Sequence, residues 1–320
     1  MPKVAFTYEI PEIAEKKLRE AGFDIWINKE DRTLSHEEIL ELAKSNDALI
    51  TLLSDKIDKE VIEAGKGNLK VISNYAVGYN NIDVDAAKDA GIFVTNTPGV
   101  LSDATADLAW ALLFAVARKI VESDKFVREG KFVGWRPKLF LGYDIKGKTL
   151  GIIGMGRIGR EMAKRALGFD MNVLYYKRNR LSELEEKELG IKYATIEEIV
   201  KNSDYISLHT PLTNETYHLL DEKEFSLMKP NAIIINTARG PVINEKVLIK
   251  YLKEKKIAGA GLDVYEEEPK IPQELLELDN VVLTPHTGSA TYETRDKMAE
   301  MVAENVIVAL KGDVPPNNVY

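Results

Sequence analysis

Cysteine is absent from all 320 residues, which excludes disulfides, thiolate zinc sites, iron–sulfur clusters and a cysteine nucleophile. Positive charge is not in excess either. The 43 lysines and arginines against 51 aspartates and glutamates leave a net charge of −8. Such a chain presents no broad basic field for nucleic acid or an anionic membrane, so the expected partner is a small molecule. Long apolar runs are missing too. The most apolar stretch, residues 108–117, ends at Arg118, whereas a membrane-spanning helix needs about 17–25 residues. Lys3 and Glu9 interrupt the start of the chain before any signal-like apolar core, so a cytoplasmic protein is expected. Glutamine occurs only at Gln273 while charged residues reach 29%, a balance that leans towards thermophilic proteins.

What is present is alternation. Apolar runs at 3–6, 24–27, 48–52, 70–73 and 92–94 are separated by stretches with helical spacing, such as Ile10, Ile13, Ala14, Lys17 and Leu18. After a helix expected at 107–118, a second series follows at 149–153, 172–176, 205–208, 232–236, 258–263 and 281–284. This βαβ rhythm implies α/β architecture with doubly wound parallel sheets. At roughly 150 residues per domain, the length suits two of them. The acidic cluster at 183–188 is interleaved with leucines and reads as a solvated helix face.

The strongest local signal is Gly154-Met155-Gly156-Arg157-Ile158-Gly159, which follows one apolar run and opens a helix with Ile158, Met162, Ala166 and Phe169 on one side. Gly154 permits the tight turn, Gly156 admits a pyrophosphate and Gly159 lets helix and strand pack closely. The helix N-terminus then receives the anion. About 20 residues beyond these glycines, NAD readers place Asp or Glu on the ribose hydroxyls. Here the sequence is Lys177-Arg178-Asn179-Arg180, with no acid from Met171 to Ser182. Two guanidiniums suit a 2′-phosphate, so NADP(H) is expected in preference to NAD(H), with NAD(H) possible; a basic surface turn is the alternative.

Four histidines can be weighed singly. His36 opens a helix among polar neighbours and reads as surface; His218, beside Tyr217, Leu219 and Leu220, reads as packing. His209 and His286 follow apolar strands, where open α/β sheets bind ligands. Arg239 and Glu268 also follow strand candidates. Three neighbouring strand ends would bring a guanidinium, a carboxylate and an imidazole to one crevice. Arg239 would fix a substrate carboxylate, His286 would exchange a proton with its carbonyl oxygen, and Glu268 would orient the imidazole. No metal site is expected.

Four motifs in order, Gly154 to Gly159, Asn236-Thr237-Ala238-Arg239-Gly240, Ala260-Gly261-Leu262-Asp263-Val264-Tyr265-Glu266-Glu267-Glu268-Pro269 and Thr284-Pro285-His286-Thr287-Gly288-Ser289, resemble the D-isomer-specific 2-hydroxyacid dehydrogenase family. The likeness extends to Asn74-Tyr75-Ala76-Val77-Gly78-Tyr79-Asn80-Asn81-Ile82-Asp83. Through Tyr75 to Asn81, Arg178-Asn179-Arg180 and Trp135-Arg136-Pro137, it is nearest to the glyoxylate/hydroxypyruvate reductase branch.

The resemblance implies a Rossmann-type nucleotide domain, 99–287, inserted into a flavodoxin-like substrate domain formed by 1–98 and 288–320, with closure that excludes water. It implies that Arg239 binds the carboxylate and carbonyl oxygen of a 2-oxo acid, that Glu268 pairs with His286, and that His286 donates the proton while the nicotinamide delivers hydride. The backbone amides of Val77 and Gly78 would hold the substrate carboxylate, Leu53 would shape a small pocket, and Trp135 would reach a partner's pocket. Thr105, Thr210, Pro211, Thr237, Ala238, Asp263 and Gly288 would line the cofactor beside the glycine loop and Arg178, Asn179 and Arg180. A homodimer built on the helix at 107–118 is implied as well. Asn80, where many relatives carry Asp, and Thr287, often Ile or Leu, depart from the pattern. The rival readings are a D-lactate or phosphoglycerate type of dehydrogenase and a non-catalytic dinucleotide sensor.

Overall fold

The computed structural model describes every residue, Met1–Tyr320. The chain forms two compact units, one from Met1–Leu101 and Ser289–Tyr320 and the other from Ser102–Gly288. In sequence, therefore, the second unit lies within the first.

The first unit contains strands β1 (Lys3–Phe6), β2 (Asp24–Ile27), β3 (Ala48–Thr51), β4 (Val71–Asn74) and β5 (Phe93–Thr95). They pair in parallel in the order β2-β1-β3-β4-β5, the flavodoxin-like order. Strands β3 and β4 are buried throughout, as parallel strands covered on both faces must be. The final helix, Tyr292–Leu310, packs against β4, and the Ser73 hydroxyl reaches the Val302 carbonyl from beneath it.

The second unit contains β6 (Thr149–Ile153), β7 (Asn172–Tyr176), β8 (Ile191–Tyr193), β9 (Tyr205–Leu208), β10 (Ile233–Asn236), β11 (Gly259–Leu262) and β12 (Val281–Leu283). The sheet is parallel throughout, in the order β12-β11-β10-β9-β6-β7-β8. Its order reverses between β6 and β9, the position where ligands of open α/β sheets bind. Strand alternation supplies two cores: Ile206, Leu208 and Ile234 face one, and Tyr205, Ile233 and Ile235 face the other. Strand β8 is not among the expected runs. It has three residues with Lys192 at its centre, and it forms because Ile191 is buried and Tyr193 packs edge-on against Tyr175.

The helix expected at 107–118 runs over Ser102–Ala117, and packing within its own unit accounts for much of its apolar character. Ala106, Ala109, Trp110, Leu112, Leu113 and Ala117 are buried inside their own unit. The helix comes so close to β11 that a β-carbon on Gly261 would lie 2.9 Å from Leu112 Cβ. No helix is long and apolar enough to cross a membrane.

Candidate active site

Strands β10, β11 and β12 are neighbours, so Arg239, Glu268 and His286 follow three adjacent strand ends. Asn236 builds the turn that carries Arg239: its Oδ1 accepts from Ala238 N (3.0 Å) and its Nδ2 donates to Arg239 O (3.0 Å). The next residue must be glycine, because a β-carbon on Gly240 would fall 1.9 Å from the Tyr265 carbonyl. That close approach fixes the Arg239 loop against the loop bearing Glu268. Arg239 Nη1 donates to Ala238 O (2.7 Å). Burial lowers the guanidinium pKa, and the charge of Glu268 opposes that shift.

Glu268 uses both oxygens. Oε1 accepts from Tyr265 N (3.0 Å), and Oε2 meets His286 Nδ1 at 2.8 Å. Burial pushes its carboxyl pKa up, but His286, the Tyr265 amide and Arg239 outweigh burial and hold it below the ordinary carboxylate value. A carboxylate at Nδ1 assigns the proton there. The opposite ring nitrogen, Nε2, has no partner within the chain.

His286 itself has φ +54°, a conformation that residues with a β-carbon adopt chiefly where their surroundings impose it. Its N–H donates to Asp263 O (3.0 Å) and Thr284 O (3.1 Å). Buried Asp263 completes the loop: Oδ1 accepts from Thr284 Oγ1 (2.6 Å), Thr287 N (2.7 Å) and Thr287 Oγ1 (3.3 Å), and Oδ2 accepts from Gly288 N (2.8 Å). Thr105 stands beside Gly288, with its Cγ2 3.3 Å from where a β-carbon there would lie.

The remaining expected cofactor residues lie along the same carboxyl edge. Gly154, at φ +102°, packs on the His209 carbonyl, whereas a β-carbon on Gly156 would meet nothing within 4 Å. The helix Arg157–Leu167 begins there without a side-chain cap and without an acid in its first turn. Its N–H groups are therefore open to an anion. Thr210 and Pro211 follow β9, where the Thr210 hydroxyl donates to Pro211 O (2.9 Å). Thr237 Oγ1 and His209 Nδ1 are buried without partners, and burial holds the His209 pKa down to about 3. Open backbone at Gly156, bare helix amides and orphaned polar atoms at two further strand ends fit a dinucleotide.

Arg178, Asn179 and Arg180 follow β7. Arg180 is ion-paired with Glu186 (Nε–Oε1 2.7 Å, Nη2–Oε2 2.8 Å), while Arg178 is exposed with no hydrogen bond or ion pair. Leu53, Val77 and Gly78 belong to the first unit, just beyond β3 and β4. Asn81 Nδ2 holds Leu52 O and Asp55 O (both 3.0 Å), Asn96 holds Val77 O (2.7 Å) and Asn74 holds Gly78 O (2.9 Å). The N–H groups of Val77 and Gly78 donate to nothing in the chain. Trp135 is 84% exposed, in the segment leading to β6.

The family model of the D-isomer specific 2-hydroxyacid dehydrogenase NAD binding domain matches residues 110–288. The chain belongs to this family. It is an oxidoreductase of 2-hydroxy acids that uses a nicotinamide dinucleotide. It is similar to a glyoxylate reductase of Thermococcus litoralis, 57% identical over 99% of this chain and 96% of that protein. A solved glyoxylate reductase from Paecilomyes thermophila is 35% identical, covering 99% of this chain and 98% of that one, with a TM-score of 0.88. An NADPH-dependent glyoxylate/hydroxypyruvate reductase from Sinorhizobium meliloti, solved with NADP and malonate, is 28% identical over 99% and 96% of the two chains, with a TM-score of 0.87.

Within this dehydrogenase, two roles escaped sequence reasoning. Asp263, expected beside the nicotinamide, also ties down the His286 loop with its oxygens, a bond pattern that spans 25 residues and leaves no local signature. His218 does more than pack: its Nε2 meets Glu266 Oε1 at 2.8 Å and its ring stacks on Tyr217. His36, read as surface, also has a polar partner, Asp58 at 3.1 Å.

Proposed function

We propose that this dehydrogenase reduces small 2-oxo acids, glyoxylate and hydroxypyruvate, to glycolate and D-glycerate, with NADPH as the preferred donor. The arrangement of Arg239, Glu268 and His286 on three neighbouring strand ends carries this reading. Arg239 holds the substrate carboxylate and draws charge towards the carbonyl oxygen. His286 gives its Nε2 proton to that oxygen, and Glu268, at Nδ1, stabilises the charged imidazole beforehand and keeps the ring turned. The bound dihydronicotinamide supplies the hydride. One hydride and one proton are thereby added across the C=O bond.

Val77 and Gly78 are assigned to the substrate carboxylate, which their unpartnered amides support, with Leu53 at the substrate's side. The dinucleotide is assigned to Thr105, Gly154, Gly156, Arg157, Ile158, Gly159, Thr210, Pro211, Thr237, Ala238, Asp263 and Gly288, with Arg178, Asn179 and Arg180 at the 2′-phosphate. Residues 1–98 with 288–320 then serve the substrate and 99–287 the nucleotide. A homodimer completes the reading. Ile120, Val121, Val127, Phe132, Val133, Trp135 and Leu141 are exposed large apolar residues close together in sequence, a surface that a second copy would cover. We assign the enzyme to the cytoplasm.

The deciding experiment is turnover across glyoxylate, hydroxypyruvate, pyruvate and phosphohydroxypyruvate with NADPH and NADH. Highest kcat/KM for the first two with NADPH is expected. Preference for pyruvate or the phosphorylated acid would move the assignment to a D-lactate or phosphoglycerate enzyme, and dinucleotide binding without turnover would make the chain a sensor.

A further inference from the structure

The loop after β7 contains a carboxylate that neither the hydride nor the proton transfer requires. Glu186, on the helix Glu183–Leu189, is almost wholly buried, its side chain 11% exposed. Its Oε1 accepts from Tyr175 OH (2.6 Å) and from Arg180 Nε (2.7 Å), and its Oε2 accepts from Arg180 Nη2 (2.8 Å). The Tyr175 oxygen in turn accepts from Leu181 N (3.0 Å). Arg180 also lies over the Tyr193 ring, 5.3 Å from its centre. Thus one edge of the guanidinium is bound by a carboxylate and one face is covered by an aromatic ring, while its Nη1 edge retains its donors.

Such a cluster is a modest source of stability, because the Arg180 side chain is more than half exposed and water screens the pair. What it supplies is direction. A guanidinium presents its donors in a rigid fork, and a fork already held loses less freedom on meeting an anion than one on an unrestrained side chain. Arg178, two residues earlier, is not held in this way. The charge count agrees with a division of labour. Arg180 and Glu186 cancel, leaving Lys177 and Arg178 as the net cations of the segment.

We propose that Glu186 is a positioning residue for cofactor choice: through Arg180 and Tyr175 it presets the loop, so that a 2′-phosphomonoester on the adenosine ribose is met by one held guanidinium and one exposed one. This rests on the NADPH reading above and names the residue that sharpens it. Glu186 touches no reacting atom, and its influence is confined to the phosphate end of the cofactor.

The test uses two probes without nicotinamide, 2′,5′-ADP, which carries the 2′-phosphate, and ADP, which lacks it, titrated calorimetrically into the full chain. In the unaltered protein, 2′,5′-ADP binds more tightly than ADP. Equal binding would overturn the NADPH reading and this inference together, before any variant is made. Given that preference, Glu186→Gln should weaken 2′,5′-ADP by about three- to tenfold, the cost of freeing one ordered side chain, and leave ADP unchanged. Glu186→Asp should restore part of the loss, and Tyr175→Phe should follow Glu186→Gln with a smaller effect. In turnover, KM for NADPH should rise while kcat and the NADH constants stay fixed. A lowered melting temperature with an unchanged binding ratio would make Glu186 merely structural. Tighter 2′,5′-ADP binding in Glu186→Gln would make it only a counter-charge; either result overturns the proposal. If Glu186→Gln fails to fold, Tyr175→Phe decides by the same ratio.

Discussion

Two histidine–glutamate pairs draw their acids from one short loop. His286 meets Glu268 and His218 meets Glu266, both at 2.8 Å, with acids only two residues apart. Distance alone would rank them equal, so their surroundings must separate them. Glu266 gives its second oxygen to Glu245 N (3.0 Å), the first amide of a helix, while His218 N donates to Pro241 O (2.8 Å) and Leu220 N to Val242 O (3.2 Å). The pair thus ties the Glu266 loop to Glu245 and to Pro241, in the segment that follows Arg239. Each ring keeps one nitrogen without a partner in the chain, Nδ1 in His218 and Nε2 in His286, but only His286 follows directly on a strand end. One pair braces the loop, and the other presents its remaining nitrogen at the carboxyl edge of the sheet, where open α/β sheets bind ligands.

The sharpest way to break this contrast is to remove each imidazole in turn. His286→Ala should lower kcat by about 10³-fold, within the range of a lost general acid, while calorimetric dinucleotide binding is retained. Near-normal turnover would remove the assigned proton donor. Glu268→Gln should cost about 10- to 100-fold in kcat, since the imidazole keeps a hydrogen bond but loses the charge that favours its protonated form. Because the folded Glu268 pKa lies below its ordinary value, its stabilising contribution is present above about pH 4.3 and is lost as pH falls through the folded value. Denaturant melts of the wild type and Glu268→Gln should therefore converge in acid.

His218→Gln should change kcat by no more than about threefold and lower the melting temperature by a few degrees, as expected for one lost bracing bond. A loss comparable with that of His286→Ala would show the two pairs to be one catalytic unit. His209 comes last because its effect shows only in acid: burial holds its pKa down to about 3. From about pH 6.5 down to that value, the unfolded chain takes up a proton that the fold refuses, so stability declines as pH falls. Acid titration of His209→Gln, followed by melting temperature, should show a shallower decline across that window.

The sheets were legible because a parallel strand buried on both faces is written as a continuous apolar run, as in Ile233–Asn236 and Tyr205–Leu208. β8 was not, since three residues interrupted by Lys192 carry no period. Arg239, Glu268 and His286 could be singled out because each follows such a run, and strand ends are where open sheets gather chemistry. What holds them was hidden. Asn236 and Tyr265 act through local bonds that involve backbone groups, Asp263 acts across 25 residues, and the role of Glu186 depends on a helix folding back over β7. The apolar helix Ser102–Ala117 was ambiguous for a different reason: a helix buried in its own domain and one buried against a partner have the same composition.

Asp263 grips Thr287 first through its amide, at 2.7 Å, and only secondarily through its hydroxyl, at 3.3 Å. Any residue other than proline can offer that amide. The side chain next to the proposed proton donor is thus decoupled from the bond that fixes the loop. Selection can exchange threonine there for a larger or more apolar residue and retune which acids are accepted, while the neighbouring histidine stays where it is.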